Sequence, residues 1–243
     1  MGKMDDGMTA GERPLTVLVT CFEPFDGQAI NASRAAVDVL TERWADGTPG
    51  WTGQRPAELV TVVLPVTFRG ARQTLRTAVA AHRPDLVLCV GEAGGRSAVG
   101  LERLAVNVID ARIPDNDGSA PVDVPVIAGA PAAFFSTLPL RASAEAVARA
   151  GVPVEVSNTA GTFVCNATFY ALMHLLETTP EVVGGFVHVP RTPEQVGAGE
   201  PSLARAQTAR GLEAILGVLT GAGGTAGDSH GDPGARLVTG KES

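Results

Sequence analysis

Cysteine, aromatic residues and excess positive charge are all scarce in this sequence, and each shortage rules something out. Three cysteines, Cys21, Cys89 and Cys165, stand far apart and are odd in number. They form no disulfide framework and suit a reducing compartment, so a cytoplasmic location is expected. One tyrosine and two tryptophans are too few for a platform that stacks single-stranded bases. Nineteen Lys and Arg stand against 26 Asp and Glu, a net charge of −7. With no dominant basic patch, neither nucleic acid nor an anionic membrane is an expected partner. No apolar run is long enough to span a bilayer. The stretch 1–13 carries no apolar signal-peptide core. The four histidines, His82, His174, His188 and His230, show no metal-like spacing with each other or with cysteine, so no metal site and no cofactor are expected.

What remains is a chain of 243 residues, 44% hydrophobic, which suits one globular domain over 14–220 between a flexible leader, 1–13, and a flexible tail, 221–243. Apolar runs predict strands over 15–20, 59–66, 85–91, 102–108, 152–157 and 182–189. Helical spacing, caps and breakers predict helices from Asn31 or Ser33 to Trp44, and over 69–82, 142–150, 162–177 and 202–219. Strands and helices in this alternation argue a single-domain three-layer α/β/α sandwich with a mixed, mainly parallel sheet. In such sheets the site lies at the C-terminal strand ends. Cys165, His188, Glu92 and the Phe22/Phe25 loop all fall near such ends, whereas Glu102 falls at the start of its strand.

The stretch 157–170, Ser-Asn-Thr-Ala-Gly-Thr-Phe-Val-Cys-Asn-Ala-Thr-Phe-Tyr, places Cys165 in or near the first turn of a helix that follows a strand, with Thr159 or Thr162 as its cap. Unpaired N–H groups and the positive end of the helix dipole there favour a thiolate and can hold an oxyanion. The same position equally suits a small buried thiol that packs as a hydrophobe. Other features read as structure. Cys89 lies in mid-strand, and His174, nine residues after Cys165, faces away from it. Gly94-Gly95 lacks a nucleotide-loop pattern. The acidic loop 110–125 lacks calcium-loop spacing.

Several blocks, in order, resemble the pyroglutamyl peptidase type I family of cysteine peptidases. They are Leu-Val-Thr-Cys-Phe-Glu-Pro-Phe-Asp-Gly at 18–27, Val-Gly-Glu-Ala-Gly-Gly-Arg at 90–96, Glu-Arg-Leu-Ala-Val-Asn at 102–107, Asp-Ala-Arg-Ile-Pro-Asp-Asn at 110–116, Thr-Ala-Gly-Thr-Phe-Val-Cys-Asn at 159–166 and Gly-Phe-Val-His-Val-Pro at 185–190. The resemblance implies removal of an N-terminal pyroglutamyl group by a Cys–His–Glu triad. Cys165 is then the nucleophile, His188 the base and later the acid, and Glu102 the group that orients the imidazole. Phe22 and Phe25 match the aromatics that sandwich the lactam ring, Arg112 an arginine beside the site, and Val164 the neighbour of the nucleophile. It also implies a small peptide or amide substrate and a homodimer or homotetramer.

The blocks depart from the family pattern in places. Glu92 stands where the family has glutamine, Cys21 where it has glycine, Ala32 where it has proline, and Ala167 where it has histidine. An open Glu92 carboxylate would accept but not donate, and would disfavour a lactam carbonyl. A side chain at Cys21 would narrow the pocket or move the loop. Together they raise the alternative of the same amide hydrolase retuned to another small cyclic or acyl amide. A binding protein without catalysis is the remaining alternative.

Overall fold

The computed structural model describes residues 14–46 and 57–221. The expected leader, most of the 46–56 connection and the tail after Gly221 lie outside the described residues. Eight strands and five α-helices alternate among the described residues. They are β1 Leu15–Phe22, α1 Ala32–Ala45, β2 Ala57–Leu64, α2 Phe68–His82, β3 Leu86–Glu92, β4 Val99–Glu102, β5 Leu104–Val106, β6 Ala133–Phe135, α3 Leu140–Arg149, β7 Val154–Ser157, α4 Val164–Leu176, β8 Val183–Val189 and α5 Arg205–Gly221.

Six strands form one sheet in the order β2-β1-β3-β8-β4-β7. β2, β1, β3 and β8 pair parallel; β4 and β7 also pair parallel, but β4 meets β8 antiparallel. The sheet is therefore a parallel block of four strands joined to a parallel pair that runs the other way. Nearly continuous apolar strands such as Leu86–Glu92 are what a sheet covered on both faces requires. Their alternate residues feed two separate cores. Leu18, Phe22, Val87, Cys89 and Phe186 pack beneath α2 and α4. Val17, Val19, Cys21, Leu88, Val90 and Val187 pack beneath α1 and α5. The mixed three-layer α/β/α fold expected from the alternation is the fold observed.

Two expectations are corrected. The strand predicted over 102–108 is two strands in two sheets. Arg103 makes the transfer: its N–H donates to the Ser157 carbonyl on β7, while its own carbonyl accepts the Ser136 N–H. Beyond it β5 pairs with β6 in a separate two-stranded sheet, a strand that sequence reading did not predict. At α4 neither threonine is the cap. Phe163 holds that position, with no side-chain cap bond. At α1 the choice falls on Asn31, whose side chain accepts the Ser33 N–H, while the Ser33 hydroxyl accepts the Phe22 N–H. That bond ties the C-terminal end of β1 to the start of α1 and fixes where the Phe22–Phe25 loop leaves the sheet.

Candidate active site

A cleft of about 600 Å³ opens at the C-terminal ends of the parallel strands, lined by Phe22, Phe25, Glu92, Arg112, Val164, Cys165 and His188 among others. Seven of the nine residues singled out from sequence therefore meet in one place. Glu102 lies just beneath it. The antiparallel register sets Gly100 opposite His188, so Glu102, two residues further along β4, points to the same face one step deeper. Glu102 ends a short strand rather than starting a long one, and the reversed direction of β4 is what brings it under the imidazole. The ninth residue, Cys21, is fully buried on the opposite face of the sheet, so it does not narrow the cleft.

Glu102 and His188 are hydrogen-bonded, Oε1 to Nδ1, at 2.7 Å. Glu102 is 0% exposed, and a carboxylate so placed needs charge compensation. Arg96 supplies it: its Nη1 donates to the same Oε1 at 2.9 Å. Its Nη2 reaches the Thr159 carbonyl at 3.3 Å, on the turn that leads into α4. Gly100 makes this possible, because a side-chain carbon there would collide with the Arg96 Nη1. The imidazole also packs on the Phe186 ring, centroids 4.9 Å apart. With Nδ1 bound to a carboxylate, the ring presents Nε2 as the free basic nitrogen.

Cys165 is the second residue of α4. Its thiol rests against Gly91, where an added Cβ would lie 2.9 Å from Sγ and 2.7 Å from the Phe186 ring. The sequence suggests a lowered pKa here, and the surroundings act the other way. Burial, then the charges of Glu102 and Glu92, push the thiol up to about 12, against a smaller downward pull from Arg96. The resting thiol is therefore neutral and needs a base to remove its proton. The first-turn N–H groups of Val164, Cys165 and Asn166 precede the first intrahelical bond, Ala167 N–H to the Phe163 carbonyl. With no side-chain cap over them, they form an electropositive edge beside the thiol. Asn166 anchors that turn: its side chain accepts the Val106 N–H and donates to the carbonyls of Val106 and Val108.

Glu92 reaches the cleft rim, but its carboxylate is not open. Oε1 accepts from Arg191 Nε at 3.0 Å; Oε2 accepts the Ala32 N–H at 2.7 Å and the Gln195 amide at 2.8 Å. The open acceptor on which a preference against a lactam carbonyl depended is not what these three donors leave. Opposite lies an aromatic wall. Phe25 packs on Phe163 at 5.3 Å, and Phe163 stands edge-on to Phe68 at 5.1 Å. Phe22 is buried deeper, against Phe186. Sequence reading passed over Phe163, Arg96 and Arg191. Phe163 carried a signal, two residues before the cleft thiol; the two arginines are recognisable only by their partners.

The family model described as pyroglutamyl peptidase matches residues 15–220. The chain belongs to the pyroglutamyl peptidase family. Similar relatives include the pyrrolidone-carboxylate peptidase of Gloeobacter violaceus, 46% identical over 207 residues, covering 84% of this chain and 97% of the relative. That of Streptomyces coelicolor is 49% identical over 202 residues, covering 82% and 89%. The crystal structure of Bacillus amyloliquefaciens pyroglutamyl peptidase I superposes with a TM-score of 0.75 at 37% identity, covering 85% of this chain and 96% of that one. A pyrrolidone carboxyl peptidase mutant from Pyrococcus furiosus gives 0.74 at 37% identity, covering 84% and 97%. As a pyroglutamyl peptidase family member the chain is a cysteine peptidase. Of its three cysteines Cys21 and Cys89 are buried in the sheet, and Cys165 lines the cleft.

Proposed function

We propose that this chain removes an N-terminal pyroglutamyl residue from peptides, with Cys165, His188 and Glu102 as the catalytic groups. The observation that carries this reading is the 2.7 Å His188–Glu102 bond beneath a cleft into which Cys165 opens. The lactam ring lies along the wall of Phe22, Phe25 and Phe163, with Val164 below it and Arg112 at the mouth. As Cys165 Sγ attacks the acyl carbonyl, His188 takes the thiol proton and Glu102 stabilises the imidazolium. The carbonyl oxygen, now an anion, is held by the N–H groups at the start of α4. The C–N bond breaks as His188 returns the proton to the leaving amine, which leaves a thioester. Water, deprotonated by His188, then attacks the thioester and frees the thiol.

The closed hydrogen-bond set around Glu92 supports the pyroglutamyl reading over a retuned amide substrate, because the carboxylate already has three donors. Three free thiols support a reducing, cytoplasmic setting. Exposed apolar residues, Phe135 at 69% and Val122 at 64%, support self-association into a dimer or tetramer, to be checked by light scattering. The deciding experiment is kcat/KM on pyroglutamyl-aminomethylcoumarin for the wild type beside Cys165→Ala and Cys165→Ser. Strong wild-type turnover that both substitutions abolish is expected. Normal turnover in either variant removes Cys165 as nucleophile.

A further inference from the structure

α2 turns one face to the sheet and a second to a groove outside the cleft. Its buried residues include Phe68, Ala71, Leu75 and Ala78. Arg69, Arg72 and Arg76 follow one step round the helix, at i, i+3 and i+7, within about 60° of arc at 3.6 residues per turn. All three line a groove of about 470 Å³ between α2 and α4, floored by Leu75, Ile127 and Leu175. No acidic residue lines it. Among the described residues none of the three guanidiniums has a carboxylate within ion-pair distance. The nearby Glu177 is engaged with His174, the groove's remaining titratable group, at 2.9 Å.

Arg72 is the informative member. It is half-buried, and its Nε and Nη1 donate to the backbone carbonyls of Phe68 and Val126, each at 2.7 Å. Those bonds fix the guanidinium in place without neutralising it, and its desolvation makes the charge costlier to hold. Arg69 and Arg76 add two exposed charges, one on either side. In a chain with a net charge of −7, three uncompensated cations on one groove repel one another, and an anion between them removes that cost.

We propose that this groove binds a small organic phosphate. The guanidinium fork matches phosphate oxygens in pairs, and the floor of Leu75, Ile127 and Leu175 suits an apolar moiety attached to the phosphate. The volume lies within the usual range for small-molecule sites, about 300–1,000 Å³. The groove is separate from the catalytic cleft, so its occupancy is read by binding and does not depend on peptidase turnover.

The test is isothermal titration of the full chain at low salt with inorganic phosphate, pyrophosphate and phenyl phosphate. Saturable binding of pyrophosphate and phenyl phosphate is expected, with phenyl phosphate tighter than inorganic phosphate. Arg69→Gln combined with Arg76→Gln should weaken both at least tenfold, and Arg112→Gln in the cleft should change neither. Arg72 is left intact because it ties the Val126 loop to α2. Circular dichroism checks that the double variant is folded; should it not be, Arg76→Gln alone is expected to weaken binding several-fold. Three results overturn the proposal: no saturable binding at millimolar phosphate compounds, binding undiminished in the arginine variants, or binding of a polyglutamate peptide with none of the phosphates. The last would assign the groove to an acidic segment of a protein partner.

Discussion

Glu102 lies under the floor of the cleft and Glu92 lines its rim, and the two carboxylates differ in what holds them. Glu102 accepts from His188 and from Arg96 on one oxygen. Glu92 accepts from Arg191, the Gln195 amide and the N–H that opens α1. Only the first set includes an imidazole, the group that the proposed mechanism uses to carry a proton. A carboxylate bonded to an imidazole can stabilise a proton in transit. One bonded to a guanidinium, an amide and a backbone N–H can only position, because none of those donors serves as an acid–base relay. The residue type is the same; under the proposed mechanism the partners separate a reacting floor from a positioning rim.

The largest effect that tests this difference is Glu102→Gln. An amide can hold Nδ1 as donor or acceptor and no longer stabilises the imidazolium. We expect kcat/KM to fall by about 10²–10⁴-fold, the usual range for a disabled acid–base pair, with most of the loss in kcat. Steady-state kinetics decide, and a value within threefold of wild type would put Glu102 on the same footing as Glu92. Gly91→Ala comes next. Its Cβ would press on Sγ and on the Phe186 ring, so the thiol must shift. A displacement of about 1 Å can cost on the order of 10²-fold in rate, and overpacking adds about 1–3 kcal/mol of destabilisation. Thermal melts beside kinetics separate the two losses.

The thiol also reports on the two carboxylates directly. After burial, the Glu102 charge raises Cys165 most and the Glu92 charge less. Removing a negative charge favours the thiolate, so each Glu→Gln change should lower the thiol pKa, and Glu102→Gln should lower it more. The pH dependence of iodoacetamide alkylation measures this. Wild-type rates should still be climbing above pH 9, since the thiol is pushed up to about 12, and both variants should reach their plateau at lower pH. The opposite order would contradict Glu102 as the charge that weighs more on the thiol.

Much of this arrangement was legible in the sequence, because it depends on local pattern. Apolar runs between helical stretches gave the layers, and the turn before Val164 gave Cys165 its place in a first helical turn. Period-two alternation even carried the answer for Cys21. With Phe22 on the cleft side of β1, its neighbour must face the other core, and it does. What was hidden depends on contacts between distant segments. Nothing local to Arg103 reveals that its N–H joins β7 and its carbonyl the chain beside β6. Nothing in Glu-Ala-Gly-Gly-Arg shows that the arginine serves Glu102, or that Glu92 is satisfied by Arg191 and Gln195, about a hundred residues on. The lowered thiol pKa that a helix start allows is opposed, for the same reason, by burial and by two carboxylates from other elements.

Glu92→Gln should give the smallest effect and the sharpest contrast. The glutamine carbonyl can still accept the Ala32 N–H, while the charge opposite Arg191 is lost. Arg191 is partly exposed, so water can take over much of its solvation, and the loss should be about 1 kcal/mol of stability. Turnover of a pyroglutamyl substrate should stay within threefold, because no proton passes through this group. Arg191→Gln, which leaves Glu92 charged beside its two neutral donors, should behave alike. If Glu92→Gln instead changes kcat/KM more than tenfold while the melting temperature barely moves, the rim touches the substrate. The division between a reacting floor and a positioning rim would then have to be redrawn around the Glu92–Arg191 pair.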